Sequence, residues 1–412
     1  MRVLLLAYGS RGDVEPLVGL AVRLRALGAE VRVCVPPDEE FAQQLAAVGV
    51  PLVPYGPPVR QMMHGASAPS VTDLPKQVFD VVASQYGMVS AAAEDCDVLL
   101  ATGAMPVAAR SVTEKLGLRY VYSSYQPVTL PSPHHPPLPH PLRSFPPDVT
   151  DNRELWELDA RSVQALFGDA LNTYRASIGL PPVDNVRDHI ITGRPWLAAD
   201  PTLSPWQEPS DLDVVQTGAW ILPDERPLPA EVLAFLDAGT PPVYVGFGST
   251  PVHAAADLAQ ASIEAVRAQG RRALVSRGWA DLALIDDRED CLAIGEANLQ
   301  ALFTRVAAVV HHGGSGTTTT AARAGAPQVV VPQMLDQPYW ARRVADLGIG
   351  AAHDGPTPTA ASLSGALKTA LSPETRARAT ALAGTIRTDG TTVAARLLLD
   401  PADDRRTPPT AG

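Results

Sequence analysis

Ala307-Ala308-Val309-Val310-His311-His312-Gly313-Gly314-Ser315-Gly316-Thr317-Thr318-Thr319-Thr320-Ala321-Ala322-Arg323-Ala324 is the stretch from which the rest of the chain is read. Ala307 to Val310 is a short apolar run with β-branched residues, the pattern of a buried strand. Ala321 to Ala324 reads as the body of a short helix. A glycine-rich turn joins the two. Such a turn leaves the first backbone N–H groups of a helix without intrahelical partners, and with the helix dipole these make an anion site. His311 and His312 stand at its mouth, and a diphosphate is the expected ligand. The block is not a Walker loop, because no Lys-Ser/Thr follows its last glycine. It is not a dinucleotide fingerprint either, since that pattern lies in the first βα unit with an acidic residue about twenty positions on. Tight packing of helix on strand would account for one or two of the glycines, not for the whole block. Four consecutive threonines are poor helix formers, so hydroxyls turned toward an anion are the expected reason for them.

Outward from this block the same rhythm repeats. Arg2 to Tyr8 is a continuous apolar run, the pattern of a central parallel strand. A turn at residues 9–13 follows, then a helix from Val14 to Leu27 closed by Gly28. Strands at 31–35 and 51–54 enclose a helix at 41–48. After the long polar stretch 56–75 come a helix at 74–93, a strand at 98–101, a helix at 106–116 and a strand at 120–122. Residues 127–147 are dense in proline and histidine and form no regular element. A long helix spans about 153–178. Residues 203–242, rich in Pro, Asp and Trp, read as a connection. Val243 to Ser249 then restarts the strand-turn pattern. Further strands lie at 272–276, 292–294 and 328–331. Helices are expected at 257–268, 298–303, 337–347, 360–371, 373–386 and 392–399. The chain is thus α/β, with two doubly wound domains. The boundaries are an N-terminal domain at 1–203, a linker at 204–242, a C-terminal domain at 243–388, a returning helix at 389–400 and a frayed tail at 401–412.

The 412 residues suit two α/β domains, and an apolar share of 46% fills two cores. The net charge of −11 argues against a nucleic-acid partner. Cys34, Cys96 and Cys291 are scattered and odd in number, which fits reduced packing thiols in a cytoplasmic protein. The apolar run at 3–7 is too short for a secretory core or a membrane span. No metal spacing is present. The histidines of 134–140 alternate with prolines and lack accompanying carboxylates or thiols.

Three further places carry chemistry. Asp13 follows the first strand, at the carboxyl edge where doubly wound sheets bind ligands, and reads both as a helix N-cap and as a working carboxylate. Asp336 and Gln337 open the helix after the strand 328–331. Asp336 is again a candidate cap, and together the pair offers the donors and acceptors that suit a polyhydroxyl ligand. Ser249, after Gly246-Phe247-Gly248, is placed to face the diphosphate from the opposite wall.

These residues resemble those of inverting nucleotide-sugar glycosyltransferases with the GT-B fold, and more narrowly the actinobacterial antibiotic glycosyltransferases of the vancomycin and teicoplanin group. The resemblance is carried by MRVLLLAYGSRGDVEPLVGLA (1–21), VVQTGAW (214–220), PPVYVGFGS (241–249) and the block 311–350 that begins HHGGSGTTTT and continues through DQPYW. AHDGPTP (352–358) and RTDG (387–390) add to it. It implies two Rossmann-like, parallel-sheet domains facing a central cleft, with a final helix returning to the first domain. It also implies roles. His312, Gly314, Ser315, Gly316 and Thr317, with Ser249, bind the donor diphosphate. Asp336 and Gln337 hold the donor sugar. Asn298, Leu299 and Gln300, with Trp279, border the nucleobase. Asp13 stands where many relatives carry a histidine (Gly-His-x-x-Pro, here Gly12-Asp13-Val14-Glu15-Pro16) and is the implied catalytic base. Ser10, Arg11 and His311 lie beside these positions. Thr320 occupies the place where many relatives carry a glutamate for the ribose.

The implied reaction moves a hexose from a UDP- or dTDP-sugar, with inversion, to a hydroxyl of a bulky hydrophobic or peptide aglycone. No metal or cofactor is needed, since the nucleotide sugar is a co-substrate. The implied enzyme is a cytoplasmic monomer without nucleic-acid partner or membrane insertion. Residues 56–75 and 125–150 would meet the acceptor. GGSGTT and DQPYW also occur in sterol glucosyltransferases, so a sterol-like or macrolactam acceptor is the alternative. An inactive sugar-nucleotide-binding homologue is a remoter one. A dinucleotide-dependent oxidoreductase is disfavoured, since Gly9-Ser10-Arg11-Gly12 lacks the glycine spacing.

Overall fold

The computed structural model describes residues 1–61, 74–103, 105–139, 145–249, 255–279 and 282–400. The chain divides into two compact units. One comprises Met1–Ala199, Pro205–Leu222 and the residues from Thr388 on; the other comprises Asp200–Ser204 and Pro223–Arg387.

The first unit is built on a seven-stranded sheet. Its strands are β1 (Arg2–Tyr8), β2 (Glu30–Val35), β3 (Leu52–Pro54), β4 (Val98–Gly103), β5 (Arg119–Ser124), β6 (Trp196–Leu197) and β7 (Val215–Gln216). They lie in the order β3-β2-β1-β4-β5-β6-β7, and every pairing is parallel. β1 is central because Val3 to Ala7 is apolar on both faces, and all five residues are buried. The chain winds outward from β1 in one direction and from β4 in the other. The crevice at the carboxyl ends of β1 and β4 is therefore the switch point where such sheets take ligands.

The second unit has a six-stranded parallel sheet of β8 (Val243–Gly246), β9 (Ala273–Ser276), β10 (Cys291–Ile294), β11 (Ala308–His311), β12 (Gln328–Val330) and β13 (Gly350–Ala352), ordered β10-β9-β8-β11-β12-β13. Its switch point lies between β8 and β11, where Gly246 pairs with His311. Helices Ala255–Ala268 and Ala360–Ala370 cover one face, over a core that includes Val245, Phe247, Val310, Ile263 and Leu363.

The expected linker at 204–242 is corrected. Val215–Gln216 is a strand of the first sheet, Ala230–Asp237 is a helix of the second unit, and Asp200–Ser204 already belongs to the second unit. These pieces are held by partners distant in sequence. Val215 N–H donates to Pro195 at 3.0 Å, and the Asp200 carboxylate accepts the Arg387 N–H at 2.8 Å. Helix Gly390–Leu399 packs on helix Arg11–Ala26 within the first unit. Part of the expected acceptor loops, 62–73 and 140–144, and the tail 401–412 lie outside the described residues. Among the described residues no helix is long and apolar enough to cross a membrane.

Candidate active site

The turn after β11 is built from glycine. Gly313 has φ +96°, and a Cβ there would come within 2.7 Å of Val330 and 3.1 Å of the Gln337 carbonyl. Gly314 then occupies the N-cap of helix Ser315–Arg323, and among the described residues no side chain caps that end. The first-turn N–H groups thus point at the carboxyl edge of the sheet as an uncommitted anion cradle.

The two histidines have different tasks. His311 is the last residue of β11 and fully buried. Its Nδ1 accepts the Gly313 N–H at 3.1 Å, so its Nε2 carries the proton and donates to Gln328 Oε1 at 2.8 Å. Gln328 passes its amide on to the Thr318 carbonyl at 3.3 Å. Burial, helped by His312, pushes the His311 pKa down to about 3. His311 is therefore the floor of the turn, which corrects the expectation of two histidines at its mouth.

His312 lies past the strand end, with its ring between two glycines. A Cβ at Gly314 would be 2.5 Å from Nε2, and one at Gly248 would be 3.1 Å from Cε1. Its Nδ1 is buried with no hydrogen-bond partner among the described residues. Burial holds its pKa down at about 4, so the ring is neutral at pH 7. A buried nitrogen without a partner is costly unless a ligand satisfies it.

Three of the four threonines do not face an anion, which corrects the expectation for the run. Thr318, Thr319 and Thr320 donate their hydroxyls back to the carbonyls of Gly314, Ser315 and Gly316 at 2.9, 2.8 and 2.9 Å. Back-bonding of this kind suits threonine within a helix. Thr317 and Ser315 make no such bond among the described residues.

The neighbouring turns meet this one. The Trp279 N–H donates to the Gly248 carbonyl at 2.9 Å, which fixes the β9 turn against the segment carrying Ser249. Gln337 is buried beside Gly313, and its side-chain oxygen accepts the N–H groups of Gln333 and Met334 at 2.7 and 3.2 Å. That carboxamide oxygen is engaged in shaping its own loop. Asp336 sits at the N-cap position of helix Gln337–Asp346, yet its side chain does not cap it. Its Oδ2 instead accepts the Trp340 indole N–H at 2.9 Å, and burial raises its pKa to about 6. The sequence marks Trp340 only as part of DQPYW, with no role of its own. The signal was its i,i+4 spacing from Asp336.

The Asn298 side chain holds its own turn. Its Oδ1 accepts the Ala301 N–H at 3.0 Å, and its Nδ2 donates to the Asp224 and Arg226 carbonyls at 2.8 and 2.9 Å. The side chain is spent on holding the turn. Leu299 and Gln300 follow β10, three strands from β11, roughly 14 Å across the sheet edge.

Asp13 belongs to the first unit. Ser10, not Asp13, is the N-cap of helix Arg11–Ala26, and Pro16 falls in its second turn. Ser10 Oγ accepts the Gly12 N–H, while Asp13 Oδ2 accepts the Ser10 N–H at 2.9 Å in a reciprocal capping box. Arg11 pairs with Glu15 at 2.7 Å. The Asp13 carboxylate rests where Gly9 and Gly103 leave room: a Cβ at Gly103 would meet Oδ1 at 3.4 Å, and one at Gly9 would overlap Oδ2. This is the carboxyl edge of β1 and β4.

Residues 3–130 match the glycosyltransferase family 28 N-terminal domain, and residues 290–393 match the C-terminal domain of the erythromycin biosynthesis protein CIII-like family. The chain is 58% identical over 402 residues to glycosyltransferase GtfE of Amycolatopsis orientalis, covering 97% of each protein. It is 57% identical to the vancomycin aglycone glucosyltransferase of the same organism, again over 97% of each. Among solved structures, the glycotransferase of kitacinnamycin aligns over 96% of this chain and 98% of its own with a TM-score of 0.71 at 20% identity, a likeness of fold.

Proposed function

The chain belongs to the vancomycin-group glycosyltransferases, and from that premise we propose that it moves a hexose from a UDP- or dTDP-sugar, with inversion, onto a hydroxyl of a glycopeptide aglycone. The observation that carries the reading is His312. Its partnerless buried nitrogen stands beside an uncapped helix N-terminus at the switch point of the second sheet.

Asp13 takes the proton of the acceptor hydroxyl as that oxygen attacks the anomeric carbon. The bond from the anomeric carbon to the diphosphate oxygen breaks, and its electron pair leaves with the diphosphate. The N–H groups of Ser315, Gly316 and Thr317 receive that charge, with the hydroxyls of Thr317 and Ser249 and the neutral His312 ring. Preorganised donors need no rearrangement as charge develops. Asp336 accepts hydroxyls of the sugar, and the Gln337 amide N–H groups add donors. Trp279, Leu299 and Gln300 border the base, and Asn298 serves them by fixing the turn. The reaction needs no metal or cofactor, and the enzyme works as a monomer in the cytoplasm.

The test is a matrix of UDP- and dTDP-hexoses against vancomycin aglycone, a sterol and a macrolactam, run with a chelator and read by product mass. UDP-glucose with vancomycin aglycone is the pair expected to react. A product only with the sterol or macrolactam would move the acceptor to that class. Nucleotide binding without sugar transfer across the matrix would leave a binding protein. Asp13→Ala should lose turnover by about 10²-fold or more, the scale of general base catalysis, with UDP affinity unchanged. Full turnover in that variant would remove Asp13 from the role.

A further inference from the structure

We propose that Tyr125 is a positioning residue for the base: its hydroxyl, braced by Trp220, fixes the Asp13 backbone and thereby the aim of the Asp13 carboxylate. The proposal rests on Asp13 being the base.

Asp13 is held from two sides. Its side-chain Oδ2 accepts the Ser10 N–H at 2.9 Å, and its main-chain carbonyl accepts the Tyr125 hydroxyl at 2.9 Å. The first bond lies within the turn and moves with it. The second ties that turn to the rest of the sheet, because Tyr125 follows directly on β5, two strands from β1. Tyr125 is itself immobilised. It is buried, and its ring meets the buried Trp220 edge-on with centroids 5.9 Å apart at 84°. The Trp220 indole donates to Thr217 Oγ1 at 3.0 Å, and the Thr217 hydroxyl donates to the Gly218 carbonyl at 3.1 Å. Thr217 is anchored to β6 by its N–H, which donates to the Leu197 carbonyl at 3.0 Å.

The chain after Trp220 then returns to the helix that carries Asp13. A Cβ at Gly19 would lie 2.9 Å from the Leu222 nitrogen and 3.0 Å from Ile221, so Gly19 is what lets that backbone lie on the helix. Helix, Tyr125, Trp220 and residues 221–222 therefore form a closed brace around Asp13. The phenol remains a donor throughout the working range, because burial and the Asp13 charge hold its pKa well above the usual tyrosine value. A phenylalanine would fill the same space, so what it removes is the hydroxyl's polar contacts, the bond to the Asp13 carbonyl and the one with the Thr102 side chain. Misplacement of a catalytic group lowers the rate while leaving distant binding contacts as they were.

The test compares Tyr125→Phe, Trp220→Phe, Asp13→Asn and the double variant Asp13→Asn/Tyr125→Phe with UDP-glucose and vancomycin aglycone. Tyr125→Phe should lower kcat roughly tenfold, the rate equivalent of one lost hydrogen bond. Its UDP Kd and donor KM should stay within about twofold, since those contacts lie elsewhere. The double variant should be no slower than Asp13→Asn, because a residue that acts only through Asp13 has nothing left to position. Trp220→Phe, which keeps the phenol and loosens its support, should show the same kcat signature at smaller size. Wild-type kcat in Tyr125→Phe overturns the proposal and leaves Asp13 as base. So does a double variant slowed further by the factor seen for Tyr125→Phe alone. Wild-type kcat in Asp13→Asn overturns the base, and this role with it.

Discussion

The opposing influences on Asp336 can be separated by one atom. Burial raises its carboxyl to about 6, while the Trp340 indole N–H, 2.9 Å from Oδ2, favours the charged form and lowers it. A protonated Asp336 is a poorer acceptor for sugar hydroxyls. The proposed role therefore predicts that kcat/KM for UDP-glucose falls as pH drops through about 6. In Trp340→Phe burial loses its main opponent and is left against a backbone hydrogen bond alone, so that acidic limb should move to higher pH by about half a unit or more. A limb at the same pH in both proteins would detach Asp336 from the profile. Asp336 was legible as a polar residue at a sheet edge, and its cap role was over-read, because position alone does not say where a side chain turns. The histidine pair makes the same point. His311 is still a residue of a strand buried on both faces, like the three before it, whereas His312 has left the strand. Adjacent letters thus end in the core and at the site.

At the scale of the element, the threonine run divides by helix position. Thr318, Thr319 and Thr320 can reach carbonyls of the turn before them because those carbonyls exist at i−4. For Thr317 the i−4 residue is Gly313, outside the helix. The proposed site then predicts that Thr317→Val lowers kcat with UDP-glucose roughly tenfold, while Thr319→Val and Thr320→Val stay within about twofold. An equal loss at all three positions would return the run to the anion; no loss at Thr317 would take it out of the site. The run was noticed for poor helix propensity, and the local remedy, back-bonding, is invisible until the helix start is fixed. Elements with a full apolar period were legible: β1, β4, β11 and helix Asn152–Ser177 stand close to where the pattern puts them. β6 and β7 were not. Each is two residues long and is a strand only through partners, Ser123 and Ser124 for β6 and then β6 for β7. A pairing that short leaves no periodicity to read.

For the whole molecule, buried histidines set the response to acid. Burial lowers His135 in the first unit, and lowers His189 there to about 3, with Arg110 and Arg175 adding to the second. In the second unit His311 and His312 are held at about 3 and 4. Between about pH 6.5 and 4 the unfolded chain protonates these imidazoles, whereas the folded chain keeps His189, His311 and His312 neutral and takes up the His135 proton less readily. The unfolded state then binds more protons, so stability rises with pH in this window and is lost on acidification. Asp336 acts in the opposite sense: its folded pKa of about 6 lies above the value of 3.8 for a free carboxyl, so the folded state holds its proton there. The Asp286 carboxyl, held down at about 2 by Arg267, changes only below the window. The first unit has two lowered imidazoles, His135 and His189, and the second has two with Asp336 against them. Acid should therefore loosen the first unit more steeply. Each unopposed proton is worth about 1.4 kcal/mol per pH unit at most. Hydrogen exchange corrected for its intrinsic pH dependence tests this on the intact chain. From pH 7 to pH 5, protection should fall in both regions, and further over residues 186–199 than over residues 308–323. Equal losses would mean that Asp336 does not take up its proton in the folded state. Unchanged protection in both would mean that the imidazoles reach solvent protons without unfolding, and that the neutral His312 ring assumed for the diphosphate site is not held neutral by the fold.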